Sequence, residues 1–295
     1  MNRIVKAFVV LIMVVCVFAA SAVAEVGDLE GMQVRDVAVL TESQMIATGT
    51  KSFGSTVQQA VRVYGTDGTT LWGHESDDES DMYAMAASAV LTQRFYDEIE
   101  PSWDLEAPFT VNGLLPGEKY HLAYGYVQGD SPYAGMVAFD SDGNILWKCV
   151  DDANTVFVSA AWTPDGSVAL IGHASPNPQN IWDDYEFFAI YNDGERVSKV
   201  NYAPDTLNER RACYYTLAMI ADGDGYCIVR KETMENDLQV QKLDAAGKKT
   251  TSWTEQTGAE NNFYYAKLIQ LGDAMYFTGA MKTSGTLLIH KLQKP

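Results

Sequence analysis

Histidine is scarce in this chain of 295 residues. The four present, His74, His121, His173 and His290, are scattered and show no H-x-x-x-H or similar spacing that would set two imidazoles on one metal. The sequence also lacks a G-x-S-x-G elbow, a P-loop and a G-x-G-x-x-G fingerprint, so it shows no serine triad, nucleotide-phosphate cradle or dinucleotide site. No metal site and no cofactor are expected. Positive charge is in short supply: 21 Lys and Arg face 39 Asp and Glu, a formal charge of −18. That balance excludes nucleic acid as a partner, because phosphates need a basic stripe. Long apolar runs are missing beyond the first residues, and no later segment approaches the roughly 20 apolar residues of a spanning helix.

The start of the chain does hold an apolar run. Arg3 and Lys6 lead into residues 7–20, and Ala22-Val23-Ala24 follows before Glu25. Residues 1–24 therefore read as a secretory signal peptide with an A-x-A cleavage site, and the mature protein is expected to begin at Glu25, either extracellular or periplasmic. A lipoprotein signal is not expected, because Cys16 follows Val15 where a small residue is usual. Loss of Arg3 and Lys6 makes the mature chain still more acidic. Three cysteines remain, Cys149, Cys213 and Cys227, too few for a disulfide scaffold, so the fold must rest on its apolar core. A hairpin centred on residues 223–224 would put Cys227 opposite Ile220 and Cys213 well down the other strand. A bridge between those two is not expected.

What the chain has in quantity is repetition. The segment MVAFDSDGNILW at 136–147 returns as VRVYGTDGTTLW at 61–72, FAIYNDG at 188–194, VQKLDAAG at 240–247 and a shortened LLIHKL at 287–292. Each closes a repeat whose opening half runs over 34–49, 109–125, 157–172, 214–229 and 264–279; the second carries one extra residue near Pro116-Gly117. Short apolar strands with Asp-Gly turns at this spacing predict an all-β chain: a propeller of about five four-stranded blades, one domain over 25–295. Four positions into the openings stand Ala38, Gly113, Ala161, Ala218 and Leu268, mostly small, as expected of strands crowded toward an axis. Trp72, Trp147 and Trp253 read as packing between blades. The last repeat stops after its third strand, and residues 26–31 are the candidate to complete it and seal the ring.

The F-D-x-D-G-x-x-x-W closing strand resembles the repeats of PQQ-like and related bacterial secreted β-propellers, over nearly all of the mature chain. The resemblance implies architecture. Quinoproteins of that fold hold their cofactor with a vicinal disulfide and a metal-binding carboxylate set; this chain has no adjacent cysteines and about five repeats rather than eight, so the cofactor is not carried over.

In a blade with strands A to D, the A–B and C–D turns share one face, and the B–C loops and D–A connections share the other. The expected long segments, 51–59, 129–134, 174–184, 201–211 and 74–108, are all of the second kind, which makes that face the expected working surface. Residues 74–108 form an acidic insertion, with ten acids against Arg94 alone. Helical spacing of Met82, Met85, Ala86, Ala89 and Val90 favours a helix, with a degenerate blade as the alternative. The acids lack a D-x-D-x-D-G calcium loop, so a solvated surface is the plainer reading.

The ligand-binding candidates are Trp182, Asp183, Asp184 and Tyr185 in the loop SPNPQNIWDDY, Trp162 near the axis, and Trp103 in the insertion. Aromatic rings beside amides and acids suit a glycan or a peptide. Packing under its own loop for Trp182, and in the core for Trp162, are the competing readings. The expected function is a secreted, non-catalytic binding or interaction module. The alternative is a glycoside hydrolase working through carboxylates at the channel mouth; a purely structural envelope component comes third.

Overall fold

The computed structural model of the protein describes residues 25–76, 109–176, 184–202, 205–207, 210–212, 214–232, 237–257 and 262–293. Most of the expected insertion therefore lies outside the described residues, as do Trp103, Trp182, Asp183 and Cys213.

Five four-stranded antiparallel sheets form the blades of a β-propeller. Blade 1 follows a first strand β1 (Glu25–Asp28) and holds β2 (Met32–Thr41), β3 (Gln44–Phe53), β4 (Thr56–Gly65) and β5 (Thr70–Ser76). Blade 2 holds β6 (Phe109–Leu115), β7 (His121–Val127), β8 (Tyr133–Phe139) and β9 (Ile145–Ala153). Blade 3 holds β10 (Thr155–Trp162), β11 (Val168–Ala174), β12 (Tyr185–Asn192) and β13 (Glu195–Tyr202). A small hairpin, β14 (Asp205–Leu207) and β15 (Arg210–Ala212), precedes blade 4, which holds β16 (Tyr214–Asp222), β17 (Gly225–Glu232), β18 (Leu238–Leu243) and β19 (Lys249–Glu255). Blade 5 holds β20 (Phe263–Leu271), β21 (Ala274–Met281) and β22 (Thr286–Lys291).

The fourth strand of blade 5 is β1, which pairs antiparallel with β22 from Glu25 opposite Ile289 to Asp28 opposite Thr286. The ring is thus sealed by the N-terminal strand, as expected of residues 26–31, and an open edge on β22 is covered.

The Asp-Gly signature has a local cause. Asp140 Oδ1 accepts the backbone N–H groups of Asp142 and Asn144, Asp244 Oδ1 those of Ala246 and Lys248, and Asp67 Oδ1 that of Thr69. Each carboxylate closes a turn whose glycine, Gly143, Gly247 or Gly68, takes a positive φ that disfavours a side chain.

Every innermost strand carries a bulge, between Val34 and Asp36, Val111 and Gly113, Phe157 and Ser159, Thr216 and Ala218, and Phe263 and Tyr265. At or just after the bulge, side chains reach the next blade. Asn112 Nδ2 donates to the Phe157 carbonyl at 2.7 Å, Ser159 Oγ accepts from Met219 N–H at 2.9 Å, and Tyr264 Oη accepts from Val34 N–H at 3.0 Å. The bulge re-aims these residues and so stitches the ring near its axis. It also corrects the expected ladder of small residues. Gly113 and Ala218 directly follow their bulges, whereas Ala38, Ala161 and Leu268 lie further along their strands, so the five do not share one level.

Apolar clusters fill the interfaces of blades 5 and 1, 2 and 3, 3 and 4, and 4 and 5. Smaller clusters lie on blade 1 (Ala38, Ile46, Val61, Val63) and blade 2 (Ala123, Phe139). Trp147 and Trp253 join the interblade clusters, and Trp147 lies over Gly194 of blade 3. Trp72 differs: 42% of its surface is exposed, so it is not the packing residue that its place in the repeat suggests.

Candidate functional site

Inner strands of all five blades border a central cavity of about 340 Å³. Its wall is largely apolar, with Val158, Leu114, Ala161, Met219 and Leu268 among its residues, and its polar part includes Arg35, Asp36, Asn112 and Lys267. Asp36 is buried and paired with Lys267. Its Oδ1 accepts from Lys267 Nζ at 2.6 Å, from Tyr265 Oη at 3.0 Å and from Val37 N–H at 2.8 Å. Burial pushes the Tyr265 phenol far above its usual range, and Asp36 reinforces that, so the hydroxyl stays a donor. Asp36 is the one carboxylate among the described residues that line this cavity.

Trp162, the last residue of β10, borders this cavity and also a groove of about 590 Å³ at the short-turn end of blades 2 and 3. The groove is formed by the turn of residues 116–120 in blade 2 and the turn of residues 163–167 in blade 3. Half-buried Trp162 donates its indole N–H to the Pro116 carbonyl at 2.6 Å. A Cβ on Gly117 would fall 2.5 Å from the indole ring, so only glycine lets the blade 2 turn approach this closely. Tyr120 meets Trp162 edge-on at 5.3 Å and Trp147 edge-on at 5.4 Å, and is itself buried. On the rim, Lys119 Nζ pairs with Asp193 at 3.0 Å. Both volumes fall in the range of about 300–1,000 Å³ typical of ligand sites.

The structure separates the sequence candidates. Trp162 pairs with Val168 at one end of blade 3, and Tyr185 pairs with Ala174 at the other. A seven-residue strand of roughly 3.3 Å per residue lies between the two ends. Tyr185 is half-buried against the blade 2–3 cluster, and Asp184 accepts from Ser175 Oγ at 2.6 Å, which ties the two ends of the 175–184 loop together. Near that face, a buried pair joins blades 3 and 4: Glu186 holds Arg230 and accepts from both N–H and Oγ1 of Thr216 at 2.6 Å. Burial lowers the His173 pKa beside them.

The loop-length expectation holds unevenly. Residues 51–59 are not a long loop, because β3 and β4 continue to Phe53 opposite Thr56 and turn over two residues. Residues 201–211 contain the β14–β15 hairpin, and the first three residues of the 74–108 segment finish β5. Tyr120 and Lys119 were not singled out in the sequence. The nearest signal to them is the extra residue near Pro116-Gly117 in the second opening. Cys227 lies opposite Ile220, as expected, and Cys149 is a free thiol. Burial, with Asp151 nearby, pushes the Cys149 thiol up to about 11, which keeps it protonated.

No protein-family model matches the sequence, and no curated protein matches it. Among solved structures, the chain is similar to a putative hydrolase from Bacteroides ovatus at 9% identity, covering 90% of this chain and 87% of that one, with a TM-score of 0.44. It is similar to the GH93 α-L-arabinofuranosidase of Fusarium graminearum at 11% identity over 85% and 72% of the two chains, with a TM-score of 0.43. A protein of unknown function from Bacteroides caccae matches at 13% identity over 85% and 73%, with a TM-score of 0.37.

Proposed function

We propose that the protein is an exported, non-catalytic binding propeller whose ligand is a glycan held at the short-turn mouth of the ring. The observation that carries this reading is Trp162, a fixed aromatic ring at the junction of the groove and the central cavity. An indole face stacks on the apolar face of a sugar, and a rigid aromatic in a pocket is a typical anchor. The PQQ-like resemblance enters as shared architecture alone, and export follows from the leader read in residues 1–24.

The hydrolase alternative needs a pair of carboxylates about 5–9.5 Å apart across a sugar. Asp36, the single carboxylate of the described cavity wall, is bound to Lys267 and Tyr265 and has no such companion there. The long-loop face, with Asp184 and Tyr185 and with Trp182 and Asp183 outside the described residues, is the competing location for the ligand.

The test is an array of glycans and peptides probed with the mature protein, followed by mass spectrometry of each bound oligosaccharide after prolonged incubation. Binding of an oligosaccharide that is recovered intact is expected. Release of shorter products would assign the protein to the hydrolases, and binding restricted to peptides would refute the glycan reading.

A further inference from the structure

The central cavity is polar at one level of the ring and apolar at the next. Arg35 and Asn112 stand in the bulges of blades 1 and 2, and Asp36, Ser159 and Tyr265 directly follow the bulges of blades 1, 3 and 5. Lys267 reaches the same level, with its Nζ 2.6 Å from Asp36. Two or three residues further along their strands, toward the short turns, the wall consists of Leu115, Trp162, Ile220 and Leu268. Three residues of strand from Ser159 to Trp162 separate the levels by roughly 10 Å.

Charge sets this wall apart from the rest of the molecule. Two cations, Arg35 and Lys267, face one carboxylate, Asp36, so the described wall carries a net positive charge in a chain whose formal charge is −18. Arg35 is exposed, and its guanidinium forks two N–H groups onto one carboxylate. Carboxylates on the outer surface do not cancel this, because at physiological salt exposed charges more than about 8 Å away are largely screened. A volume of about 340 Å³ suits a small molecule, and an apolar wall with a few placed polar groups is the usual form of such a site.

We infer that the central cavity binds a small organic monocarboxylate, its carboxylate on Arg35 at the polar level and its body on the apolar wall that ends at Trp162. A uronate at the end of a glycan and a free aromatic or aliphatic acid share this chemistry, so the site goes beyond the glycan reading and is compatible with it. Calorimetric titration of the mature protein with an aldobiouronate, 3-phenylpropanoate and octanoate, each against its neutral amide, tests the inference and separates the sources. At least one acid is expected to bind about 10-fold or more tightly than its amide. Arg35→Gln should remove that preference, a loss of about 10-fold or more for the acid and little for the amide, with an unchanged melting temperature because the side chain is exposed. Arg35→Lys, which keeps the charge but not the fork, should lose less than Arg35→Gln.

Equal affinity for acids and amides, native affinity of the acid in Arg35→Gln, or no binding of any acid would overturn the inference. If only 3-phenylpropanoate or octanoate binds, the inference stands without support for a glycan. If a neutral oligosaccharide binds with native affinity in Arg35→Gln and no acid binds, the inference fails and the glycan reading stands.

Discussion

Three glycines in second strands, Gly49, Gly125 and Gly172, sit opposite the residues that precede inner-strand bulges. A Cβ on Gly125 would lie 1.9 Å from the Thr110 carbonyl oxygen, and one on Gly49 equally close to that of Gln33. Gly125→Ala should therefore destabilise by about 1–3 kcal/mol through forced backbone movement, measured by denaturant unfolding. Gly166, with open space around it but a φ of +84°, should lose about 1–2 kcal/mol on the same change, for a conformational reason alone. The Asp-Gly turns were legible in the sequence because one local chemistry repeats. The bulges were not, since an extra residue in a strand has no residue type of its own, and it falls at different places among the five openings. The buried Glu186–Arg230 pair offers a sharper residue test. Arg230→Met leaves a carboxylate buried without its partner and should cost about 3–5 kcal/mol, whereas Glu186→Gln combined with Arg230→Met should cost less than the single change. Equal losses in the two variants would show that the pair is not coupled.

Among the elements, the closing strand and the D strands carry the clearest consequences. Deleting residues 25–28 strips β22 of its outer partner, so the melting temperature should drop by about 2 °C or more, ~1 kcal/mol or more at this size. An unchanged melting temperature would mean that the ring closes without β1. Trp147 packs on Tyr120 and on Gly194 of the next blade, and Trp147→Ala should cost roughly 3–5 kcal/mol. Trp72 holds the same place in its own repeat but is 42% exposed, so Trp72→Ala should cost about 0.5 kcal/mol or less. The repeat motif places a tryptophan on a strand and a face; it does not say what lies across from it. The same limit explains the site. Trp162 was visible as an inner-strand aromatic, but its neighbours come from a turn in the preceding blade some 45 residues earlier, a juxtaposition set by blade docking rather than by local pattern.

The whole molecule should lose stability in two stages as the pH falls. Burial lowers the pKa of His121 and His173, so between the unfolded value of about 6.5 and the folded value the unfolded chain binds protons that the folded chain does not. The stability they give is complete above about 6.5 and declines below it. Carboxylates follow at lower pH. The Asn144 side chain holds Asp140 below its usual range, Arg62 does so for Glu75, and Lys199 for Asp152. Burial works against the Glu255 carboxylate, but hydrogen bonds from His290, Trp253 and Gln293 outweigh it. Their contribution is present above about 4 and is lost progressively below that. Melting temperatures from pH 8 to pH 3 should show a shallow decline beginning near 6.5 and a steeper one below 4; a protein more stable at pH 5 than at pH 7.5 would contradict the histidine assignment. The two ends of the ring compete for the function itself, and one comparison separates them most directly: the affinity of the array-identified oligosaccharide for the native protein, Trp162→Leu and Trp182→Ala, each shown to be folded by its melting curve. Binding at the short-turn mouth predicts a loss of about 10-fold or more in Trp162→Leu and native affinity in Trp182→Ala; native affinity in Trp162→Leu with loss in Trp182→Ala would contradict it and put the ligand on the opposite face.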